Sequence, residues 1–294
     1  MVSHVRVVIG LCTKNAEDMV ERAVDSIFAQ DFPHELIELV VVDGYSKDKT
    51  VELIKNKISK TDIRCAILQD KRGLGASRQI VVDRAKGKYI VWVDADMKLS
   101  NDFVSKQVEF MEQNPKIGIA KGKYGVAAET SLVATLENTE FVVDSFQYEG
   151  EVPANISLGT SGCIYRVEAI RQAKGFDESI KGAGEDTDAE YRIKAAGWSI
   201  CISDAVFSEK HRKSWRSLWS EYFWLGCGAH DLFRKNRRTI NLTMMLPPVA
   251  VLVELRRSVL AYRLTARRVV FLLPLHWIFK RAAWSLGFVL GLVQ

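Results

Sequence analysis

The stretch that ends in Asp94 and Asp96 constrains this chain more than any other part of its sequence. Tyr89–Val93 consists of β-branched and aromatic residues, a pattern that predicts a short strand buried on both faces. In open α/β sheets, ligands bind in the crevice beyond the carboxyl ends of such strands. Two neighbouring carboxylates repel each other there unless a cation neutralises them, and carboxylate oxygens suit Mg²⁺ or Mn²⁺. The pair therefore predicts a divalent-metal site, although an isolated Asp-x-Asp motif is more often an ordinary solvated turn.

The first part of the chain alternates between apolar runs and segments with helical spacing. Strands are predicted at Val5–Leu11, Ile37–Val42, Ile63–Leu68 and Tyr89–Val93, and a helical segment follows each of them. This alternation predicts an α/β fold with a mainly parallel central sheet and right-handed crossovers. Beyond residue 113 the pattern is less regular, with a strand predicted at 117–126 and a helix at 130–146.

Polar residues stand where the predicted strands end. Thr13 and Asn15 follow the first strand, and Asp43 follows the second. Asp43 is succeeded by Gly and Ser, which predicts a pocket for a ribose or a base edge, whereas a turn with a helix cap is the simpler interpretation of the residues after it. The loop after the third strand carries Arg72 and Arg78, whose guanidinium groups suit the oxygens of a diphosphate.

A second acidic pair, Glu185 and Asp186, is predicted at the N-terminus of a helix. The helix dipole stabilises carboxylates at that position, so capping alone would explain one of the two. Asp188 and Arg192 are four residues apart on the same helix and are expected to form an ion pair. Upstream, the small residues of 158–163 would allow an acceptor to approach the backbone closely.

The charge of the chain is unevenly distributed. Residues 209–294 contain fifteen Lys and Arg against four Asp and Glu, a balance of +11, and the net charge of +5 leaves −6 for residues 1–208. An acidic front and a basic, apolar C-terminal region predict a domain held against an anionic surface. The long apolar runs favour lipid headgroups over nucleic acid, for which no base-reading motif is present. Five scattered cysteines predict reduced thiols, and no signal peptide is expected.

The C-terminal region lacks an uninterrupted apolar stretch of the about 18 residues that a membrane span needs. Its uncharged runs cover 239–253, 269–279 and 282–294. We therefore expect a domain of residues 1–235 followed by a membrane-association segment of residues 236–294. Two amphipathic or re-entrant helices would lie in the cytoplasmic leaflet of the cell membrane, with Arg263, Arg267 and Arg268 facing headgroups. A helical hairpin buried in an oligomer interface is the alternative.

Six short motifs occur in a characteristic order, and together they are far more specific than any one alone. They are Thr13–Asn15, Asp43–Ser46, Gly73–Arg78, Asp94–Asp96, Gly175–Glu178 and Glu185–Asp186. Over about residues 3–230 this arrangement resembles the family 2 glycosyltransferases, whose GT-A fold is Rossmann-like. The resemblance implies a UDP- or GDP-linked sugar donor, a divalent metal (Mg²⁺ or Mn²⁺) and inversion at the anomeric carbon.

The resemblance also implies roles for individual residues. Asp43 would contact the nucleoside, Asp94 would lie near the ribose or the metal, and Asp96 would bind the metal that bridges the diphosphate. Asp186, beside Glu185, would be the general base. Further donor-binding or metal-binding positions would be Thr13, Asn15, Arg72, Arg78 and His211. The sequence departs from the family at Gly44, where many members have a second Asp, so the nucleoside contact would depend on Asp43 alone.

Three functions remain open at this point. The preferred one is transfer to a hydroxyl of a saccharide or lipid-linked acceptor close to a membrane. The second is synthesis of a polyisoprenyl phosphate sugar, in which the acceptor phosphate needs no general base, so that the Glu185–Asp186 pair disfavours it. The third, from another class, is a non-catalytic module that binds a nucleotide sugar or a glycan at a membrane.

Overall fold

The structure is a computed structural model that describes residues 5–126, 129–147, 150–153, 156–180, 182–237 and 247–291. Its strands are β1 Val7–Thr13, β2 Ile37–Asp43, β3 Arg64–Gln69, β4 Tyr89–Asp94, β5 Met97–Leu99, β6 Ile117–Tyr124, β7 Gly150–Glu151, β8 Cys163–Arg166 and β9 Ser199–Glu209. Its α-helices are α1 Val20–Phe28, α2 Thr50–Ile58, α3 Leu74–Arg84, α4 Phe103–Gln113, α5 Leu132–Gln147, α6 Val167–Gln172, α7 Glu185–Ala195, α8 Trp215–Lys235, α9 Pro247–Thr265 and α10 Leu273–Leu290.

Strands β3, β2, β1 and β4 form the parallel half of the sheet, in that order. Cys12 pairs with Val42 on one side and with Asp94 on the other, so the carboxyl ends of these strands lie side by side. Residues of β1, β2 and β4 are almost entirely buried, because helices cover both faces of a parallel sheet. The parallel α/β arrangement predicted from the sequence is confirmed for this half.

The sheet continues with antiparallel strands that the alternation of strands and helices does not predict. Beyond β4 the order is β8, β6, β9 and β5, and β7 pairs with β9. The sheet is therefore mixed, rather than mainly parallel throughout. Strand β8 has only four residues and β5 only three, so neither is long enough to give a clear periodicity. The antiparallel pairing of β5 with β9 places Glu209, the last residue of β9, opposite Met97 and so next to Asp96.

The chain divides into two compact units. The first comprises Met1–Lys123, Tyr148–Lys181 and Glu185–Glu209, and it contains the sheet; the second comprises Tyr124–Gln147, Gly182–Gly184 and Lys210–Gln294. Helices α5 and α8 thus belong with the C-terminal helices as a compact unit, whereas the sequence placed a functional boundary at residue 235. That functional boundary stays a prediction.

Helices α8 and α10 of the second unit pack closely because a glycine on each faces the backbone of the other. A Cβ atom at Gly226 would lie 2.1 Å from the carbonyl oxygen of Trp284. A Cβ atom at Gly287 would lie equally close, at 2.1 Å, to the carbonyl oxygen of Phe223. Among the described residues, no helix is both long enough and apolar enough to cross a bilayer.

Charged residues that interrupt the apolar C-terminal sequence lie inside this second unit. The Lys280 ammonium donates to Glu137 at 2.7 Å and to Glu140 at 2.6 Å, and all three side chains are at most 12% exposed. The Arg257 guanidinium forms ion pairs with Glu254 and Asp144. We call Glu137, Glu140, Asp144, Glu254, Arg257, His276 and Lys280 the C-terminal ion cluster. Helices α5, α9 and α10 are joined through these charges.

Candidate active site at the carboxyl edge of the parallel strands

Asp94 and Asp96 flank the end of β4, as the sequence predicts. The side chain of Asp94 is 31% exposed, and its Oδ2 accepts a hydrogen bond of 2.6 Å from the Ser161 hydroxyl. Its Oδ1 lies 3.6 Å from Nη2 of Arg78, which is longer than a hydrogen bond. Asp96 is half-buried between β4 and β5. Both carboxylates therefore remain partly accessible at the strand edge.

Arg78 connects this edge to the second acidic pair. Its guanidinium is buried, donates to Glu185 from Nη1 and lies 5.9 Å from the ring centre of Trp92. The same guanidinium faces Asp94, so Glu185 and Asp94 lie on two sides of one cation. A buried charge is stable only when it is paired, which explains why three ionic groups cluster here. The phosphate contact predicted for Arg78 stays a prediction, since the observed partners are carboxylates.

Glu185 and Asp186 begin helix α7, yet their environments differ. Glu185 is 1% exposed, and burial raises its pKa to about 7, although Arg78 opposes that shift. Asp186 is half-buried, and its Oδ1 accepts a 2.7 Å hydrogen bond from the Thr187 backbone N–H. Its Oδ2 faces the backbone of Gly159, where an added Cβ would lie 3.5 Å away. Of the two carboxylates, Asp186 is the one that an acceptor could reach.

A single loop, residues 158–162, contacts both acidic groups. Ser161 binds Asp94 and Gly159 lies against Asp186, as described above. The loop is held by the Leu158 backbone N–H, which donates to both carboxylate oxygens of Glu190 at 3.0 and 3.2 Å. Lys121 donates to the carbonyl oxygen of Leu158 from the other side. The small residues that the sequence analysis noted in this stretch therefore form a bridge between the two parts of the site.

The predicted nucleoside-binding residues lie at the ends of β1 and β2. Asp43 is fully buried, and its oxygens accept hydrogen bonds from the Ser46 N–H at 3.0 Å, the Ser46 hydroxyl at 2.5 Å and the Gln69 amide at 3.3 Å. Asn15 accepts from the Lys47 N–H at 2.9 Å, and its own N–H donates to Ser46. These bonds shape the loop, while the nucleoside contacts predicted for Asp43 and Asn15 stay predictions. The hydroxyl of Thr13 is buried and has no hydrogen-bond partner among the described residues.

Arg72 and His211, the remaining predicted residues, lie in different settings. Arg72 is half-exposed and is paired with Asp70 at 2.7 Å and with Glu178. His211 belongs to the second compact unit, where its ring stacks on Phe141 with centres 5.5 Å apart. Burial, followed by the charge of Lys280, lowers the pKa of His211 to about 4, so the ring is neutral at pH 7. The metal role of His211 and the phosphate role of Arg72 stay predictions.

Glu209, the last residue of β9, also lies at this edge of the sheet, although the sequence did not predict it. It pairs with Met97, directly after Asp96, and one of its oxygens is buried with no hydrogen-bond partner among the described residues. Burial, followed by the negative charge of Asp96, raises the pKa of Glu209 to about 8. No local sequence signal identifies it, because its neighbours at the edge come from strands more than 100 residues earlier in the chain.

A second acidic cluster is excluded from the candidate site by its chemistry. Glu137, Glu140 and His276 could geometrically hold a metal ion, since their ligand atoms lie within 4.8 Å of one another. However, the Lys280 ammonium already lies between the two carboxylates. This group belongs to the C-terminal ion cluster and serves as a structural ion pair.

Comparison with known proteins agrees with this geometry. The model of glycosyl transferase family 2 matches residues 8–172, more than half of the chain. An uncharacterised glycosyltransferase of Haemophilus influenzae is 35% identical over 101 residues, which cover 34% of this chain and 40% of that protein. The chain spans less than half of the length of the first curated relatives that it matches.

Solved structures show the same fold at low sequence identity. The mannosyltransferase PcManGT of Pyrobaculum calidifontis, in complex with GDP-Man and Mn²⁺, matches with a TM-score of 0.66 and 18% identity over 98% of this chain and 87% of that chain. Residues 1–349 of Staphylococcus aureus TarS, in complex with UDP, match with a TM-score of 0.53 and 17% identity over 96% of this chain and 89% of that chain. The GT-A fold expected from the motifs is thereby confirmed. The chain belongs to glycosyl transferase family 2.

Proposed function

We propose that the chain transfers a sugar from a nucleoside diphosphate sugar to an acceptor hydroxyl, with inversion at the anomeric carbon. The observation that carries this proposal is the buried Arg78, which contacts Glu185 on one side and Asp94 on the other. It joins the end of β4, where a donor would be held, to the start of α7, where Asp186 is half-exposed. The solved relatives that contain GDP-Man and UDP support a nucleotide-linked donor of one of these two bases.

The residues at the edge fit a divalent cation. Asp94 and Asp96 offer hard carboxylate oxygens on a rigid strand end, the ligand type that Mg²⁺ and Mn²⁺ prefer. Oδ1 of Asp94 lies beyond hydrogen-bond distance of its nearest cation, Arg78, and so keeps lone pairs for a metal. When bound, such a cation neutralises charge on the diphosphate of the donor.

Asp186 would act as the general base of the transfer. Its Oδ1 already accepts from the Thr187 N–H, and this bond orients the carboxylate while Oδ2 keeps its lone pairs. The acceptor hydroxyl would give its proton to Asp186 while its oxygen bonds to the anomeric carbon and the bond to the diphosphate breaks. Glu185 would not exchange protons with the acceptor, since it is buried against Arg78 and positions that guanidinium.

Thermal unfolding can test whether the protein binds the metal and the nucleotide part of the donor. Mn²⁺ together with UDP or GDP should stabilise the wild-type protein, by about 2.7 kcal/mol at a concentration 100 times the dissociation constant. Asp96→Asn should abolish this stabilisation, because it removes a charged metal ligand. Asp204→Asn makes the same chemical change at an exposed ion pair with Lys123 and should leave it intact.

Two results would reject this part of the proposal. One is a wild-type protein that neither nucleotide stabilises in the presence of Mn²⁺. The other is full stabilisation of Asp96→Asn under conditions that stabilise the wild type.

We further propose that the second unit binds an anionic membrane surface from the cytoplasmic side, as a peripheral segment. Large apolar side chains on α9, α10 and the turn between them are 40–65% exposed, among them Leu255, Phe271 and Leu275. Arg263 and Arg268 are exposed on the same elements. Apolar area combined with positive charge favours the interface of anionic lipids.

Vesicle sedimentation tests the membrane proposal. The protein should co-sediment with vesicles that contain anionic lipid, and high salt alone should release only part of it, because the apolar contacts persist. Complete release by salt, without detergent, would contradict apolar anchoring, and absence of binding would contradict the membrane proposal altogether.

A further inference from the structure

Strand pairing places Glu209 beside the proposed metal site at Asp94 and Asp96, although these residues are distant in the sequence. Strand β9 runs antiparallel to β5, with Leu99 opposite Phe207 and Met97 opposite Glu209. Since Asp96 immediately precedes β5, the end of β9 lies beside the Asp94–Asp96 turn. Burial raises the pKa of the Glu209 carboxyl, and the negative charges of Asp96 and Asp94 act in the same direction.

One carboxylate oxygen of Glu209 lacks any partner that the fold provides. Oε1 is shielded from solvent and has no hydrogen-bond donor among the described residues. A buried acceptor left unsatisfied costs about 1–3 kcal/mol, and more when the group is charged. Such groups in folded proteins call for an explanation, of which a bound ion is one.

The hydroxyl of Ser161 cannot satisfy the carboxyl groups around it. It donates its proton to Oδ2 of Asp94 at 2.6 Å. A serine hydroxyl carries a single proton, and Asp94 accepts it, so Ser161 has no proton to donate to Glu209.

Two basic groups of this region, Arg78 and Lys121, already contact other acceptors. Arg78 donates to Glu185, and Lys121 donates to the carbonyl oxygen of Leu158. They reduce the surplus of negative charge at the edge, but the hydrogen bonds described for them do not reach Oε1 of Glu209.

We propose that Glu209 is a third carboxylate ligand of the divalent cation held by Asp94 and Asp96. The assignment depends on the metal site in the proposed function. It differs from that site in adding a ligand from an antiparallel strand, so that the cation would bridge the parallel and antiparallel parts of the sheet. It also gives Oε1 the partner that the protein itself does not supply.

Binding of Mn²⁺ alone, measured by the electron paramagnetic resonance signal of free Mn²⁺, tests this assignment without any turnover. Glu209→Gln should weaken Mn²⁺ binding at least about 10–100-fold, the loss that even outer partners of metal ligands cause. Glu38→Gln is the matched control, because Glu38 is a buried residue of β2, close to Arg84 at 3.4 Å. This control should bind Mn²⁺ like the wild type.

The outcomes separate this inference from the proposed function. Loss of binding in Asp96→Asn with unchanged affinity in Glu209→Gln would overturn the role of Glu209 and leave the metal site intact. Absence of Mn²⁺ binding by the wild type would overturn both.

A second substitution tests the role of Glu209 if Glu209→Gln does not fold. Glutamine keeps the size and shape of the glutamate side chain, so metal-free Glu209→Gln should melt close to the wild type. If it does not fold, Glu209→Asp takes its place: the shortened carboxylate should bind Mn²⁺ more weakly than the wild type, and wild-type affinity would contradict the assignment.

Discussion

Asp186→Asn is expected to lower kcat by about 10²–10⁴-fold, the contribution of a positioned general base. Asparagine preserves the shape of the side chain and can still accept the hydrogen bond from the Thr187 N–H. It cannot accept a proton from the acceptor hydroxyl. Binding of Mn²⁺ and nucleotide should be unchanged, because Asp186 contacts neither in the proposed arrangement. Steady-state rates and thermal stabilisation by nucleotide measure the two effects separately.

The control for this substitution is Asp204→Asn, at an exposed residue of the same unit. It should retain wild-type kcat. A wild-type rate in Asp186→Asn with a hydroxyl acceptor would contradict the assigned base. Full activity only with a polyisoprenyl phosphate would instead identify the anionic lipid as the acceptor, since a phosphate oxygen needs no deprotonation to attack.

Lys280→Met is expected to lower the free energy of unfolding by about 3–5 kcal/mol, the cost of removing one partner from a buried ion pair. Lys280 is 3% exposed and donates to both Glu137 and Glu140. Without the ammonium, Glu137 and Glu140 would remain buried on either side of His276, with Arg257, 3.7 Å from Glu140, as the remaining counter-charge among the described residues. Methionine keeps most of the side-chain volume, so the loss is electrostatic and not a cavity effect.

Urea unfolding followed by tryptophan fluorescence measures this loss. Five of the seven tryptophans lie beyond residue 210, so the signal reports mainly on the second unit. Lys106→Met is the matched control, because Lys106 forms an exposed pair with Asp102 at 2.7 Å. Exposed pairs contribute about 0–1 kcal/mol. Equal stability of the two variants would show that the C-terminal ion cluster does not hold helices α5 and α10 together.

The parallel half of the fold could be predicted from the sequence because its strands are buried on both faces and separated by helices. Residues 37–42, 63–68 and 89–93 were predicted as strands, and the observed strands differ by at most one residue at each end. The ends of such strands also predict where polar residues gather, which is why Asp94 and Asp96 were recognised. The Asp188–Arg192 ion pair could be predicted because the two residues are four apart on one helix, and it is confirmed at 2.7 Å.

The antiparallel half and its contribution to the site could not be predicted in this way. Glu209 reaches Asp96 only through the pairing of β9 with β5, which are about 100 residues apart in the chain. The phosphate contact of Arg78 stays a prediction, but nothing local in the sequence shows that the fold also buries its guanidinium between two carboxylates. Similarly, nothing local shows that Lys280 would pair with a helix 140 residues earlier.

The position of the metal in a crystal grown with Mn²⁺ and a nucleoside diphosphate tests the central claim most directly. Anomalous scattering at the manganese edge should give a peak about 2.0–2.6 Å from an Asp96 carboxylate oxygen, the range for hard cations, with the diphosphate on the same ion. A manganese peak at Glu137, Glu140 and His276 instead, or a nucleotide bound away from Asp96, would contradict the account.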